Sequence, residues 1–233
     1  MIKPSLLITS LSFCASLAFA NPIGDINIMN QDTSQKEITK ESLNEMIGDL
    51  KQGVALGDIN SMFYLGFLYF NGATLKDGTL IKADKTQGLN LLFRAISLGS
   101  INALSVLTQK SLEESDILTL TQAVKVAQNS NNIDLEDKDY YSMMLASTVL
   151  DKNIQEADSI EVATKWLYEA EKKRPNAKMQ YILASMYAKL GNQNAADYYL
   201  NKSCIDPTME SVCSQYKSNN SDSSSDAKTC PNF

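Results

Sequence analysis

The sequence predicts an all-α fold, an α/α solenoid of about four antiparallel helix pairs. Two observations predict it. A Gly-x-Ile-Asn turn followed by an apolar run occurs at Gly57–Asn60 and again 42 residues later at Gly99–Asn102. A Leu-Gly or Leu-Ala pair then recurs along the chain, at Leu65-Gly66, Leu145-Ala146 and Leu183-Ala184. A repeated spacing of this kind indicates stacked units that share one continuous core.

The first helix pair follows from hydrophobic periodicity. The stretch 61–71 is apolar on nearly every side, which suits a buried helix. The stretch 86–98 places its large apolar residues three and four apart, as on one face of a helix. Gly72 and Gly99 stand directly after these stretches, where a glycine ends a helix at little conformational cost. One unit is therefore a pair of antiparallel helices.

The same order of small and large residues returns further along the chain. The recurrences lie at 140–150, 162–170, 179–191 and 194–204, with a weaker one at 102–129. Small residues are expected where two helices cross closely, and these positions are Gly66, Ala146 and Ala184. A large residue nearby, such as Tyr69 or Tyr187, is expected to fill the space between the helices.

These residues resemble the Sel-one-like repeat family, a relative of the tetratricopeptide repeats. The first unit matches the family pattern at Leu65, Gly66, Tyr69, Gly72, Asp84, Arg94, Ala95 and Gly99, and a later unit matches at Trp166 and Ala170. It departs from the pattern at Ser61 and Gln87-Gly88, and its loop from Gly72 to Asp84 is longer than usual. The resemblance implies a right-handed superhelix, and plain tetratricopeptide repeats are the alternative.

The cysteines lie near the end of the chain. After the N-terminal leader the sequence contains Cys204, Cys213 and Cys230. Resemblance to the cysteine-rich subset of the family, in which a bridge joins one unit to the next helix, implies a Cys204–Cys213 disulfide. A turn at Asp206-Pro207 is expected between them. Cys230 is expected to be free, to link two chains or to displace one bridge partner.

The ends of the chain differ in composition from its centre. Lys3, an apolar stretch and small residues ending at Ala20 predict a cleaved signal peptide, so a periplasmic or secreted protein without membrane insertion is expected. The first helix is expected to begin at Thr39, with Ser42 as the alternative N-cap. The expected divisions are a signal peptide at 1–20, a flexible segment at 21–38, the solenoid at 39–217 and a disordered tail at 218–233.

The amino-acid composition argues against several kinds of catalytic and binding site. The chain has no histidine and a net charge of -6, which argues against His-based triads, His metal sites and nucleic-acid binding. The "EKKR" at Glu171–Arg174 is expected to be solvated surface. The loop 71–88 does not have the spacing of a calcium loop, and the acidic segments 111–116 and 134–139 are interpreted as helix caps and dipole partners. We therefore expect no catalytic residue, cofactor or metal.

The remaining hypothesis is binding through the inner helices of the solenoid. Counting from the small-residue positions, the predicted protein-binding residues are Asn60, Tyr64, Phe67, Asn71, Asn102, Val106, Gln109, Tyr140, Met144, Ser147, Lys178, Ile182, Ser185 and Lys189. Aromatic and polar side chains together suit protein recognition, although each of these residues alternatively packs in the core between layers.

The predicted function is thus a monomeric protein-binding scaffold, an adaptor or a protein that neutralises its partner. An immunity protein against a toxin delivered to the periplasm is one alternative, and a secreted factor acting on host cells is another. A third, implied by the resemblance to cysteine-rich relatives, is a hydrolase of cell-wall fragments or β-lactams.

Overall fold

The computed structural model describes residues 40–74, 80–211 and 213–214. The predicted signal peptide, the segment 21–38, the Thr39 N-cap, the tail 218–233 and Cys230 lie outside these residues. Within them the protein is all-α apart from two strands of two residues each, so the predicted class is confirmed. The described residues fall into two compact units, 40–134 and 135–214.

The N-terminal unit contains five helices and a small hairpin. The helices are α1 (Lys40–Leu56), α2 (Ile59–Asn71), α3 (Lys85–Ser97), α4 (Ile101–Glu114) and α5 (Ile117–Asn129). Between α2 and α3, β1 (Ala73–Thr74) pairs antiparallel with β2 (Leu80–Ile81), with Ala73 opposite Ile81. Part of the segment expected to be an irregular loop is therefore paired. Ser42 lies inside α1, so it is not the N-cap.

Each of the four later helices in this unit begins at a capping side chain. Asp58, Asp84, Ser100 and Asp116 precede α2, α3, α4 and α5, and each accepts a hydrogen bond from the backbone N–H three residues on. Such caps satisfy N–H groups that the helix itself leaves without partners. The expected role of Asp116 as a cap is confirmed.

The two helices of the first pair approach each other closely at two glycines. Gly66 of α2 and Gly88 of α3 are both buried. A Cβ atom on Gly66 would lie 3.0 Å from Leu91 Cβ, and one on Gly88 would lie 2.5 Å from the backbone N of Phe70. The predicted role of Gly66 at a close helix crossing is confirmed, and Gly88 makes the tighter contact.

The second pair of this unit, α4 and α5, packs on α3. Its end is held by hydrogen bonds to the turn after α3, where the Ser130 hydroxyl donates to the Ser97 carbonyl at 3.0 Å and the Asn132 amide donates to the Leu98 carbonyl at 3.1 Å. Gly99 has φ 107°, and a Cβ there would meet Asn132 at 2.7 Å. The core between the pairs is formed by Leu92, Ile96, Leu104, Leu107 and Leu120, all within 1% of complete burial.

The C-terminal unit contains the other two pairs. Its elements are α6 (Leu135–Asp151), α7 (Ala157–Lys173), α8 (Ala177–Lys189), α9 (Gln193–Ser203) and a 3-10 turn at Pro207–Met209. Helix α8 packs against both α6 and α7, so the pair α8–α9 packs on the pair α6–α7. Leu145 and Leu183, with the small residues Ala146 and Ala184 that follow them, are buried as predicted. Tyr187 fills space between α8 and α9, with its ring stacked on Tyr199 at 5.6 Å.

The disulfide between Cys204 and Cys213 is confirmed, with Cα atoms 5.7 Å apart. Cys204 is the C-cap residue of α9. The expected turn between the cysteines is also present, since Asp206 caps the short 3-10 helix that begins at Pro207. The bridge therefore joins the end of the last long helix to the short helical segment after it.

None of the helices in the described part of the chain is both long enough and apolar enough to cross a membrane.

Candidate protein-binding surface

A surface depression of about 550 Å³ lies in the N-terminal unit, where α2 and α4 begin. It is lined by Gly57–Asn60 and Gly99–Asn102, the two copies of the turn that reveal the repeat in the sequence. The depression brings together Asn60 and Asn102, which are the first predicted binding residues of their helices. Both are exposed. Sequence spacing thus placed two candidate residues at one site.

The two copies of the turn differ in charge. The carboxylate of Asp58 accepts the Ser61 N–H at 2.6 Å, whereas the Ser100 hydroxyl accepts the Ala103 N–H at 3.2 Å. Hydrogen bonds from the Ser61 side chain and backbone lower the pKa of Asp58, so this carboxylate is ionised at neutral pH. The depression therefore has one anionic wall and one neutral wall, and a capping side chain occupies the start of each helix.

Aromatic and polar side chains continue from the depression along α2. Tyr64 is 38% exposed, Phe67 is half-buried and Asn71 is exposed. The rings of Tyr64 and Phe67 lie 5.0 and 6.3 Å from the ring of Phe63, which is buried and supports them. This half of the predicted surface is accessible and held by the core beneath it.

On α4 the predicted face is interrupted. Gln109 is exposed and its amide donates to Glu113 at 3.0 Å. Val106, which lies between Asn102 and Gln109 in the predicted set, is 3% exposed and belongs to the core. It cannot contact a partner in this conformation. Burial excludes Ile182 of α8 in the same way.

The other predicted residues lie on α6 and α8 of the C-terminal unit, which pack against each other. Each of them is partly exposed: Tyr140, Met144, Ser147, Lys178, Ser185 and Lys189. The Lys189 ammonium donates to Asn153 at 3.0 Å. Desolvation lowers the pKa of Lys178 and raises that of Tyr140, so both groups already lie partly out of water.

Two ion pairs in this unit, each between a buried carboxylate and a partly exposed cation, were not expected from the sequence. Glu171 is 3% exposed and binds Lys202 at 2.7 Å, so the prediction that "EKKR" is solvated surface is wrong for its first residue. Arg174, the last residue of that segment, pairs with Asp139, which was expected to act at a helix start. Asp139 is instead buried, while Glu136 in the same segment lies in the first turn of α6 as expected.

The described residues contain no group of three or more side chains arranged to hold a metal ion. Asp84, in the loop 71–88, caps α3 by accepting the Gln87 N–H at 3.0 Å. Residues 75–79 of the same loop lie outside the described part of the chain.

Comparison with family models, with curated proteins and with solved structures finds no match for this chain.

Proposed function

We propose that this protein is a helical-repeat scaffold that captures a protein partner on the exposed side of α2 and α4. The observation that carries the proposal is the depression lined by both copies of the Gly-x-Ile-Asn turn, with Asn60 and Asn102 in it and Tyr64 beside it. Tyr buries a large area while keeping a polar group, and amides form directional hydrogen bonds, so the combination suits a protein surface.

The cellular location and the stacking of the helix pairs are part of this proposal. The chain is exported through a cleaved signal peptide and acts in the periplasm or outside the cell, as a monomer. Its four helix pairs stack into one right-handed superhelix of the Sel-one-like type. The partly exposed residues of α6 and α8 form a second binding face in the C-terminal unit, to which Lys178 and Lys189 contribute positive charge.

Site-directed photocrosslinking tests the binding face. A photoreactive amino acid is placed at Tyr64, at Asn102 or, as a control, at Gln122, an exposed position on α5. The full chain is expressed in its source cells, and adducts are identified by mass spectrometry. We expect the same adduct from the first two positions and not from Gln122. Equal labelling from all three positions, or no protein adduct from the first two, would overturn the proposal.

The identity of the captured protein then separates the possible roles. A one-to-one complex of nanomolar affinity with a toxin supports an immunity protein, and weaker capture of several envelope proteins supports an adaptor. Hydrolysis of a chromogenic β-lactam by the purified chain, abolished by a single substitution, would instead establish an enzyme.

A further inference from the structure

A single buried carboxylate oxygen joins three helices of the C-terminal unit. The Glu171 Oε1 atom of α7 accepts hydrogen bonds from Lys202 Nζ of α9 at 2.7 Å and from Gln180 Nε2 of α8 at 2.9 Å. Glu171 is 3% exposed, whereas the Lys202 side chain is 34% exposed. A buried carboxylate without a cation is strongly disfavoured, so the packing of these helices depends on the position of Lys202.

The position of Lys202 depends in turn on the last turn of α9. Lys202 is the residue before the helix ends at Ser203, and helix ends fray because their last carbonyls lack helical partners. Here the next residue, Cys204, is the C-cap, and its N–H donates to the Leu200 carbonyl at 3.1 Å. The disulfide ties this cap to Cys213, which is 5% exposed. The end of α9 is thus held two residues beyond Lys202.

We propose that the Cys204–Cys213 disulfide is a redox-sensitive lock on the last helix pair, and that it acts through the ion pair between the buried Glu171 and the partly exposed Lys202. In the oxidised protein the bridge keeps the last turn of α9 wound, and Lys202 stays on Glu171. Reduction frees the cap, the turn unwinds and Lys202 leaves. Glu171 then keeps only the neutral amide of Gln180, so the contacts among α7, α8 and α9 loosen together.

The reductant in this step is a dithiol. Its thiolate attacks the sulfur of Cys204, the more exposed of the two cysteines, and Cys213 leaves as a thiolate. The second thiol of the reductant then displaces Cys204 from the mixed disulfide. The reductant ends as a disulfide, and both cysteines end as thiols after taking up the protons that the dithiol released.

Hydrogen exchange on the full chain tests whether the disulfide stabilises α9. Exchange of peptides from α9 is compared before and after reduction with dithiothreitol, with peptides from α2 and α3 as the internal reference. We expect exchange in α9 to become at least tenfold faster on reduction and exchange in α2 to stay unchanged. The double variant Cys204→Ser/Cys213→Ser reproduces the reduced protein without dithiothreitol.

The coupling to the ion pair is tested with Glu171→Gln. In this variant α9 exchanges faster even when oxidised, so reduction accelerates it by less than threefold. Glu114→Gln is the matched control, because Glu114 forms an exposed ion pair with Lys85 at 3.1 Å in the other unit. It keeps the full tenfold response.

Two results would overturn the proposal. One is a tenfold response that survives in Glu171→Gln, because the bridge and the ion pair would then act independently. The other is exchange in α9 that does not change on reduction. If Glu171→Gln does not fold, the double variant Glu171→Gln/Lys202→Met replaces it, since it leaves neither charge without a partner, and its response must also fall below threefold.

Discussion

Gly88 gives the sharpest test of how the first helix pair packs. In Gly88→Ala the new Cβ would lie 2.5 Å from the backbone N of Phe70 and 2.7 Å from its Cα. Because carbon atoms approach to about 3.5–4.0 Å at best, and because backbone atoms cannot rotate away, α2 and α3 must separate by about 1 Å. Overpacking of this kind costs about 1–3 kcal/mol. Replacing a helical glycine gains about 0.5–1 kcal/mol, so we expect no net gain and a net loss of up to about 2.5 kcal/mol.

The chain supplies its own controls for this substitution. Gly48 lies inside α1 and a Cβ there meets nothing within 4 Å, so Gly48→Ala should stabilise by about 0.5–1 kcal/mol. Gly66→Ala should fall between the two, because its closest contacts are side-chain atoms of Leu91 and Leu92 at 3.0 Å.

Urea unfolding followed by circular dichroism gives the three free energies. The fluorescence of Trp166, which belongs to the C-terminal unit, separates a local effect from a general one. If Gly88→Ala stabilises the protein as much as Gly48→Ala does, the close crossing of α2 and α3 does not exist, and the repeat packing built on it fails.

Three further substitutions test a buried hydroxyl, its hydrogen-bonded control and a partly buried carboxylate. Thr108 is 3% exposed, and its buried hydroxyl finds no hydrogen-bond partner in the described part of the chain, so Thr108→Val should stabilise by about 1 kcal/mol. Thr121→Val should not stabilise the protein, because it removes a 2.8 Å hydrogen bond from the Thr121 hydroxyl to the Ile117 carbonyl. Equal increases in the free energy of urea unfolding for the two variants would contradict this expectation. Asp151 is the last residue of α6, and desolvation raises its pKa above the unfolded value of about 3.9. The protonated carboxyl therefore contributes its full stability to the fold below about pH 3.9, and this contribution is lost as the pH rises through the folded pKa. Asp151→Asn should therefore stabilise by about 0.3–1 kcal/mol at pH 7, where the charge opposes the helix dipole, and have no effect at pH 3; thermal unfolding at both pH values decides this.

The sequence predicted the helices well where periodicity and glycine agree. It placed α2 at 61–71 and α3 at 86–98, each within two residues of the observed bounds. It missed the first turn of α7, which starts at Ala157, because its N-cap is Glu156. Glutamate is not among the usual capping residues, although its carboxylate accepts the N–H groups of Asp158 and Ser159 in this protein.

Contacts between distant residues could not be predicted in this way. Arg174 and Asp139 are 35 residues apart, and Lys202 and Glu171 are 31 residues apart. Whether two such residues meet depends on the rotation and offset of the helices that carry them, and one sequence carries no local signal for either. Charge alone therefore suggested a solvated surface where the fold buries a carboxylate.

The same limit explains why one residue of the predicted binding face on α4 is buried. Counting every third or fourth residue placed Asn102, Val106 and Gln109 on one helical face, and α4 exposes the first and last of these. Residues four apart differ by about 40° around a helix. That difference turns Val106 toward the core while its neighbours remain at the surface, so the edge of a binding face is not fixed by spacing alone.

The turn between stacked pairs gives the two units different surfaces. In the N-terminal unit it is Gly99–Asn102, a small and neutral segment that leaves a depression between helix starts. The corresponding turn in the C-terminal unit, between α7 and α8, contains Arg174 and Pro175 and has no glycine. Its arginine is already engaged with buried Asp139. A partner that recognises the Gly-x-Ile-Asn turns should therefore bind the N-terminal unit in preference to the C-terminal unit. Substitutions at Asn60 or Asn102 should weaken the capture of this partner more than substitutions at Lys178.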